Sequence, residues 1–192
     1  MKTFLIDRRI AVAVVAMLPV LATAAGFEMT PQVQAELDRQ KQVAAGWVAN
    51  PVIVKAVREQ NRKGPIAGMD NPSWKKIRRS DELVKALQES AAGQFLIANL
   101  RSSGGAVTEA FLNGSKGEKV AFAEKTTSYI HAGHAKHDSP FTTGKAWQGE
   151  PEFDESSQTY AVQIGVPVID GGAVIGSLVV GVSLSHLQKA AR

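Results

Sequence analysis

Apolar positions recur every three or four residues from Thr30 to about Ser102, and every second residue from Ala106 onward. The first period is that of a helix with one buried face, the second that of a strand. Thr30-Pro31 predicts a helix start, a capping hydroxyl followed by proline at the first turn, and Val33, Leu37, Ala44, Trp47 and Val48 then share a face. Asn50-Pro51 repeats that signal, so a break is expected near Asn50, with Ile53, Ala56 and Val57 on the buried side of the next helix. "RKGPIAGMDNPS" reads as a loop rich in breakers. "WKKIRRSDELVKALQESAAGQFLIANLR" predicts one or two further helices, capped at Ser80, with Leu83, Val84, Leu87, Ala91 and Leu100 as the apolar stripe. The basic cluster Lys75, Lys76, Arg78 and Arg79 is read as a solvated helix face.

In the second half, "AVTEAFL" and "KVAFAEK" flank the turn residues "NGSKGE" and predict a hairpin. "YAVQIGVPVI" and "AVIGSLVVGVSL" flank "DGG" and predict another. Pro167, lacking a donor, belongs at an edge or a bulge. The expected fold class is α+β: long N-terminal helices packed on one face of an antiparallel sheet. A connection from Thr126 to Gln158 joins the hairpins, with no strand expected before about Gln158. Connections longer than about 12–15 residues inside compact domains are usually functional.

The N-terminus changes where the protein is expected to work. Lys2, Arg8 and Arg9 precede an apolar run from Ile10 to Leu21 and the small residues "ATAA", the order of an export signal cut after Ala24 or Ala25. The run is shorter than the roughly 20 apolar residues of a spanning helix, so a signal peptide over residues 1–25 and a periplasmic domain over 26–192 are expected, with no membrane span after cleavage. Removing the leader takes three of the 22 basic and one of the 18 acidic side chains and leaves a net charge of +2, too mild to suggest nucleic acid. There is no cysteine, hence no disulfide and no thiolate chemistry.

The connection carries "KTTSYIHAGHAKHDSPF", with three of the four histidines. On one helix His131, His134 and His137 would fan over about 120° of its surface, so neighbouring pairs could share a metal, with Asp138 beside them. Against that, Gly133 weakens a helix, Pro140 closes one, and structural zinc sites typically contain cysteine. A non-metal pocket rim is the other reading, with Lys136 and a histidine pairing a ligand carboxylate and Tyr129 offering its hydroxyl. Binding through a titrating histidine would strengthen as the pH falls from about 7.5 to 6. Asp154 in "EFDES" reads as a turn or strand-start residue, and no nucleophile elbow, phosphate loop or metalloprotease helix is present, so no enzyme and no cofactor are expected.

Taken in order, the first hairpin, the "T-S-Y" segment, the polar stretch, "F-D-E-S" and a last hairpin with "V-P-V-I-D" and "V-I-G-S-L" resemble the extracytoplasmic PAS-like sensor domains of the Cache superfamily. The resemblance implies a sheet of about five strands whose concave face and covering segment hold a small molecule. By position it assigns Tyr129, His131, His134 and Lys136 to that segment, with Tyr160 on the facing strand. It also implies a sensor role for an organic or amino acid, with a membrane-bound sensor or receptor as partner. Such domains usually sit between two membrane helices, and this chain stops soon after its last strand, so a free-standing form is expected. The alternatives are a metal-binding protein and a non-catalytic interaction adaptor.

Overall fold

The computed structural model describes residues 27–154 and 159–190; the predicted leader lies outside them. Five helices come first: α1 (Pro31–Val48), α2 (Pro51–Lys63), α3 (Asn71–Lys76), α4 (Glu82–Glu89) and α5 (Ala91–Ser102). The hairpin β1 (Val107–Asn113) and β2 (Lys119–Phe122) follows, then α6 (Ala135–Thr143) and two short strands, β3 (Trp147–Gln148) and β4 (Glu152–Asp154). The long hairpin β5 (Thr159–Asp170) and β6 (Ala173–Ser183) and a last helix, α7 (Leu184–Ala190), complete the order.

The helix starts follow their caps. Thr30 Oγ1 accepts from the Val33 N–H, and Asn50 Oδ1 from Val52, so the chain breaks at Asn50 as expected. The third predicted cap is displaced by one residue: Asp81, not Ser80, accepts from Leu83. A carboxylate at that place also suits the positive end of the helix.

All strand pairs are antiparallel, in the order β2-β1-β6-β5-β3, and β4 pairs with β5 along the same side as β3. The six strands therefore occupy five positions across the sheet. β3 and β4 correct the expectation that no strand begins before Gln158. They are two and three residues long, too short to carry a readable alternation. β3 reaches only to Gly165 on β5, which leaves Pro167 on a locally free side of its strand.

Both faces of the sheet are covered, not one. On the first face Val162, Ile164, Val166, Val168, Leu178, Val180 and Val182 pack with α1, α2 and α5 residues such as Leu37, Ile53, Val57 and Leu96. On the second face Phe111, Phe122 and Val179 pack with Trp74, Val84 and Tyr129, which come from α3, α4 and the connection. Burial on both faces explains why β6 is buried without interruption from Gly176 to Ser183.

α6 completes the second face by an approach of backbone to backbone. A Cβ on Gly165 would lie 2.4 Å from the Lys136 carbonyl oxygen and 3.0 Å from Pro140 Cγ. Pro140 does not close the helix, which runs on to Thr143. Its missing N–H frees the carbonyl one turn back, that of Lys136, and this is the group seated against Gly165. Gly165→Ala is expected to lower the urea midpoint, at a cost of about 1–3 kcal/mol and with the slope unchanged, because a carbonyl in a helix has no rotamer to swing aside. An unchanged midpoint would mean that α6 is not seated this closely.

Candidate functional site

Between α6, the short strands and the second face lies a cleft of about 810 Å³. Phe111, Glu109 and Gln163 belong to its sheet side, His131 and Lys136 to the connection and α6, and Trp147 to β3. Thr108, Lys125, Glu150, Glu152 and Phe153 extend the wall toward the opening, where Phe153 is 49% exposed. Glycine at 149 leaves room for the Trp147 ring, since a Cβ there would lie 2.9 Å from Trp147 Cη2.

Hydrogen bonds order the floor. Lys136 Nζ donates to Gln163 Oε1 at 3.0 Å, and Gln163 Nε2 donates in turn to Glu109 Oε1. The amide thus joins a cation to an anion that it holds apart. Behind this layer lies Lys119, 1% exposed. Its Nζ sits 3.1 Å from Asn113 Oδ1, 3.2 Å from His131 Nδ1 and 3.3 Å from the centroid of Phe111. Burial pushes the Lys119 ammonium well below its usual pKa, opposed by the nearby Glu109 carboxylate. Asn113 Nδ2 continues to Ser177 Oγ at 3.1 Å, and Ser177 Oγ lies 2.7 Å from His137 Nδ1. A polar chain therefore runs along the second face, from the cleft floor to the underside of α6.

The five residues singled out from sequence go to different places. His131 and Lys136 line the cleft. Tyr129 does not: it is buried in the second-face core, 5.5 Å from Trp74 between ring centroids, and its hydroxyl accepts from the Ile66 N–H. His134 is exposed at the N-cap of α6, its ring centroid 5.6 Å from that of His131. Tyr160 is half-buried beside Phe27 and Phe153, at 5.6 and 5.3 Å, and is not in the cleft wall.

The three histidines do not share a helix. His131 lies in an extended segment whose N–H donates to Gly117 O, His134 precedes α6, and His137 is buried within it against Ser177. Among the described residues no group of three His, Cys, Asp or Glu is placed to hold a metal ion. This corrects the alternative of a metal site on His131, His134 and His137. Gly133, at φ +89°, makes the turn that separates the first two, and its N–H is taken by the Asp138 carboxylate.

Lys119 and Asn113 escaped the sequence reading because of a bulge. Phe111 pairs with Phe122 and Leu112 with Ala121, but Asn113 pairs with Lys119, so Val120 is the extra residue. Strict alternation would set Lys119 and Phe122 on opposite faces; the bulge returns them to the same one. Gln163 carried an available signal, a polar residue between the apolar Val162 and Ile164 in a strand, whereas Glu109 follows the polar Thr108 and carried a weaker one.

No protein-family model and no curated protein matches the chain. Solved structures do. The chain is similar to the ligand-binding domain of the Pseudomonas aeruginosa PAO1 amino acid chemoreceptor PctC in complex with GABA, at 13% identity and a TM-score of 0.47, over 84% of this chain and 63% of that one. It is similar to the sensor domain of the V. cholerae histidine kinase DctB, at 18% identity and a TM-score of 0.42, over 84% and 61% of the two chains. A third is the sensory domain of the Campylobacter jejuni chemoreceptor Tlp3 with isoleucine bound, at 12% identity and a TM-score of 0.43, over 85% and 68%. The match thus takes in less than two thirds of the first two domains' own length.

His131 sets a pH dependence opposite in kind to that of a titrating surface histidine. Burial first, then the charges of Lys119 and Lys136, lower its pKa from 6.5 to about 2. The imidazole stays neutral in the folded protein but takes a proton in the unfolded chain below pH 6.5. Its contribution to stability is therefore complete above pH 6.5 and is lost as the pH falls toward 2. At pH 5 the loss is about 2 kcal/mol relative to pH 7.5. His137 is shifted in the same direction by burial and adds to the trend. Urea unfolding at pH 7.5 and 5.0 is expected to show that loss in the parent and a smaller one in His131→Asn, whose amide oxygen can take the place of Nδ1. Equal losses in the two proteins would show that His131 is not held neutral.

Proposed function

We propose that this protein is a ligand-binding module of the sensor type, which takes a small organic acid or amino acid in the cleft of the second face. The observation that carries the reading is the floor: Lys136 and Glu109 held apart by Gln163, with His131 beside them and the rings of Phe111 and Trp147 around them. Charges of both signs fixed in a concave, partly aromatic site suit a small charged molecule with polar groups at both ends. The predicted export signal supports a periplasmic location. No helix among the described residues is long and apolar enough to cross a membrane. In this reading the signal passes to a separate receptor or transport partner in the membrane.

The test is a thermal-shift screen of the purified protein with succinate, glutamate, arginine, isoleucine and zinc. A ligand present at about a hundred times its dissociation constant and bound only by the folded state adds about 2.7 kcal/mol of apparent stability. Lys136→Met and Gln163→Leu are expected to weaken binding of a responding acid or amino acid about tenfold or more, each removing a charged or charge-assisted hydrogen bond. No shift with any acid or amino acid, or a shift unaffected by both variants, would overturn the reading.

A further inference from the structure

The Lys119 nitrogen is buried without an ion pair among the described residues, and three partners surround it. These are Asn113 Oδ1 at 3.1 Å, His131 Nδ1 at 3.2 Å and the face of Phe111 at 3.3 Å from the ring centroid. An ammonium has three N–H donors and nothing to accept with, so three acceptors satisfy it completely. This fixes the groups beyond it. Asn113 must turn its carbonyl to the lysine, and its NH₂ then meets Ser177 Oγ at 3.1 Å. The Ser177 hydroxyl keeps its proton for His137 Nδ1 at 2.7 Å. On the other branch, His131 Nδ1 must accept, so the neutral ring carries its proton on Nε2. Nε2 has no hydrogen-bond partner among the described residues, although His131 is 3% exposed and lines the cleft.

We infer that Lys119 is a positioning residue: from behind the cleft wall it holds His131 in the Nε2–H form, so that the cleft presents a neutral donor and selects a carboxylate or another acceptor group. The selection rests on the ligand reading of the cleft, whereas the tautomer rests on the buried network alone. Lys136 supplies the cation of the site, and His131 supplies direction without charge. A lysine without its proton would keep two N–H donors, for Asn113 and the Phe111 face, and would turn its lone pair to His131. That arrangement requires the proton on Nδ1, so the position of one proton decides between the two.

Long-range proton–nitrogen NMR on the ¹⁵N-labelled protein at pH 7.5 reads it directly. The parent is expected to show His131 protonated at Nε2 only. Lys119→Met, an unbranched chain of similar length, is expected to show a mixture of both tautomers. Acetate is expected to perturb the His131 Nε2–H signal in the parent and to bind about tenfold more weakly to Lys119→Met, the loss of one oriented hydrogen bond. Methylammonium is expected to leave that signal unchanged. A proton on Nδ1 in the parent overturns the inference, and the parent spectrum decides this even where Lys119→Met fails to fold. An unchanged tautomer in a folded Lys119→Met overturns it as well. The Nε2–H form with no response to acetate overturns the selection alone where the acid and amino acid screen is positive. Where that screen is also blank, the ligand reading of the cleft falls with it.

Discussion

A lysine nitrogen removed from water and set between two strands must be surrounded by acceptors, because a buried polar group left without partners costs on the order of 1–3 kcal/mol and an unpaired charge more. Lys119 meets that demand with three groups from two parts of the chain: Asn113 and Phe111 from β1, and His131 from the connection. Each of these is then committed in orientation, and each passes the commitment on. The cleft wall on one side and the seat of α6 on the other are thereby fixed by one network. Phe111 and His131, whose ring centroids are 4.8 Å apart, serve at once as the lining of the cleft and as the cover of the lysine.

The second constraint is how closely α6 lies on the sheet. Gly165 and the freed Lys136 carbonyl allow backbone contact there, and that contact brings the Lys136 side chain over Gln163, its neighbour but one on the same strand. The side chain at 136 can therefore bond to the floor instead of extending into solvent. A glycine in the middle of a long strand weakens it locally, but here it is repaid in position: the helix that carries the cation sits at a height set by covalent geometry rather than by rotamers.

Much of the fold was legible in the sequence because it rests on local rules. The caps at Thr30 and Asn50, the tight turn at Gly171-Gly172 and the period-two stretches of β5 and β6 all follow from neighbours along the chain. The site was legible only in part, because it rests on register. Lys119 reads as a solvent-facing residue until Val120 is recognised as the extra residue of a bulge, and a bulge is settled by the partner strand. His131 and Lys136 were marked by their place in a long polar connection, and both line the cleft. Tyr129 was marked by the same argument, but its hydroxyl finds the Ile66 N–H and its ring finds Trp74, contacts distant in sequence. Three evenly spaced histidines suggested a common surface, and the turn at Gly133 sends them to three environments.

The segment that delivers His131 also closes the sheet. β2 is the outermost strand, and such an edge offers unpaired N–H and C=O groups to any other extended chain. Here the Lys119 N–H donates to Tyr129 O and the His131 N–H to Gly117 O, so residues 129 to 131 lie along that edge as a partial strand. Asn71 clasps the segment from behind, accepting from the Tyr129 and Ile130 N–H groups and donating to the Ile130 carbonyl. The imidazole of the cleft and the guard against intermolecular strand addition are thus carried by one stretch of backbone. The edge and the cleft are consequently not separable here: whatever loosens this stretch from β2 uncovers an adhesive edge at the same moment as it dissolves the cleft wall.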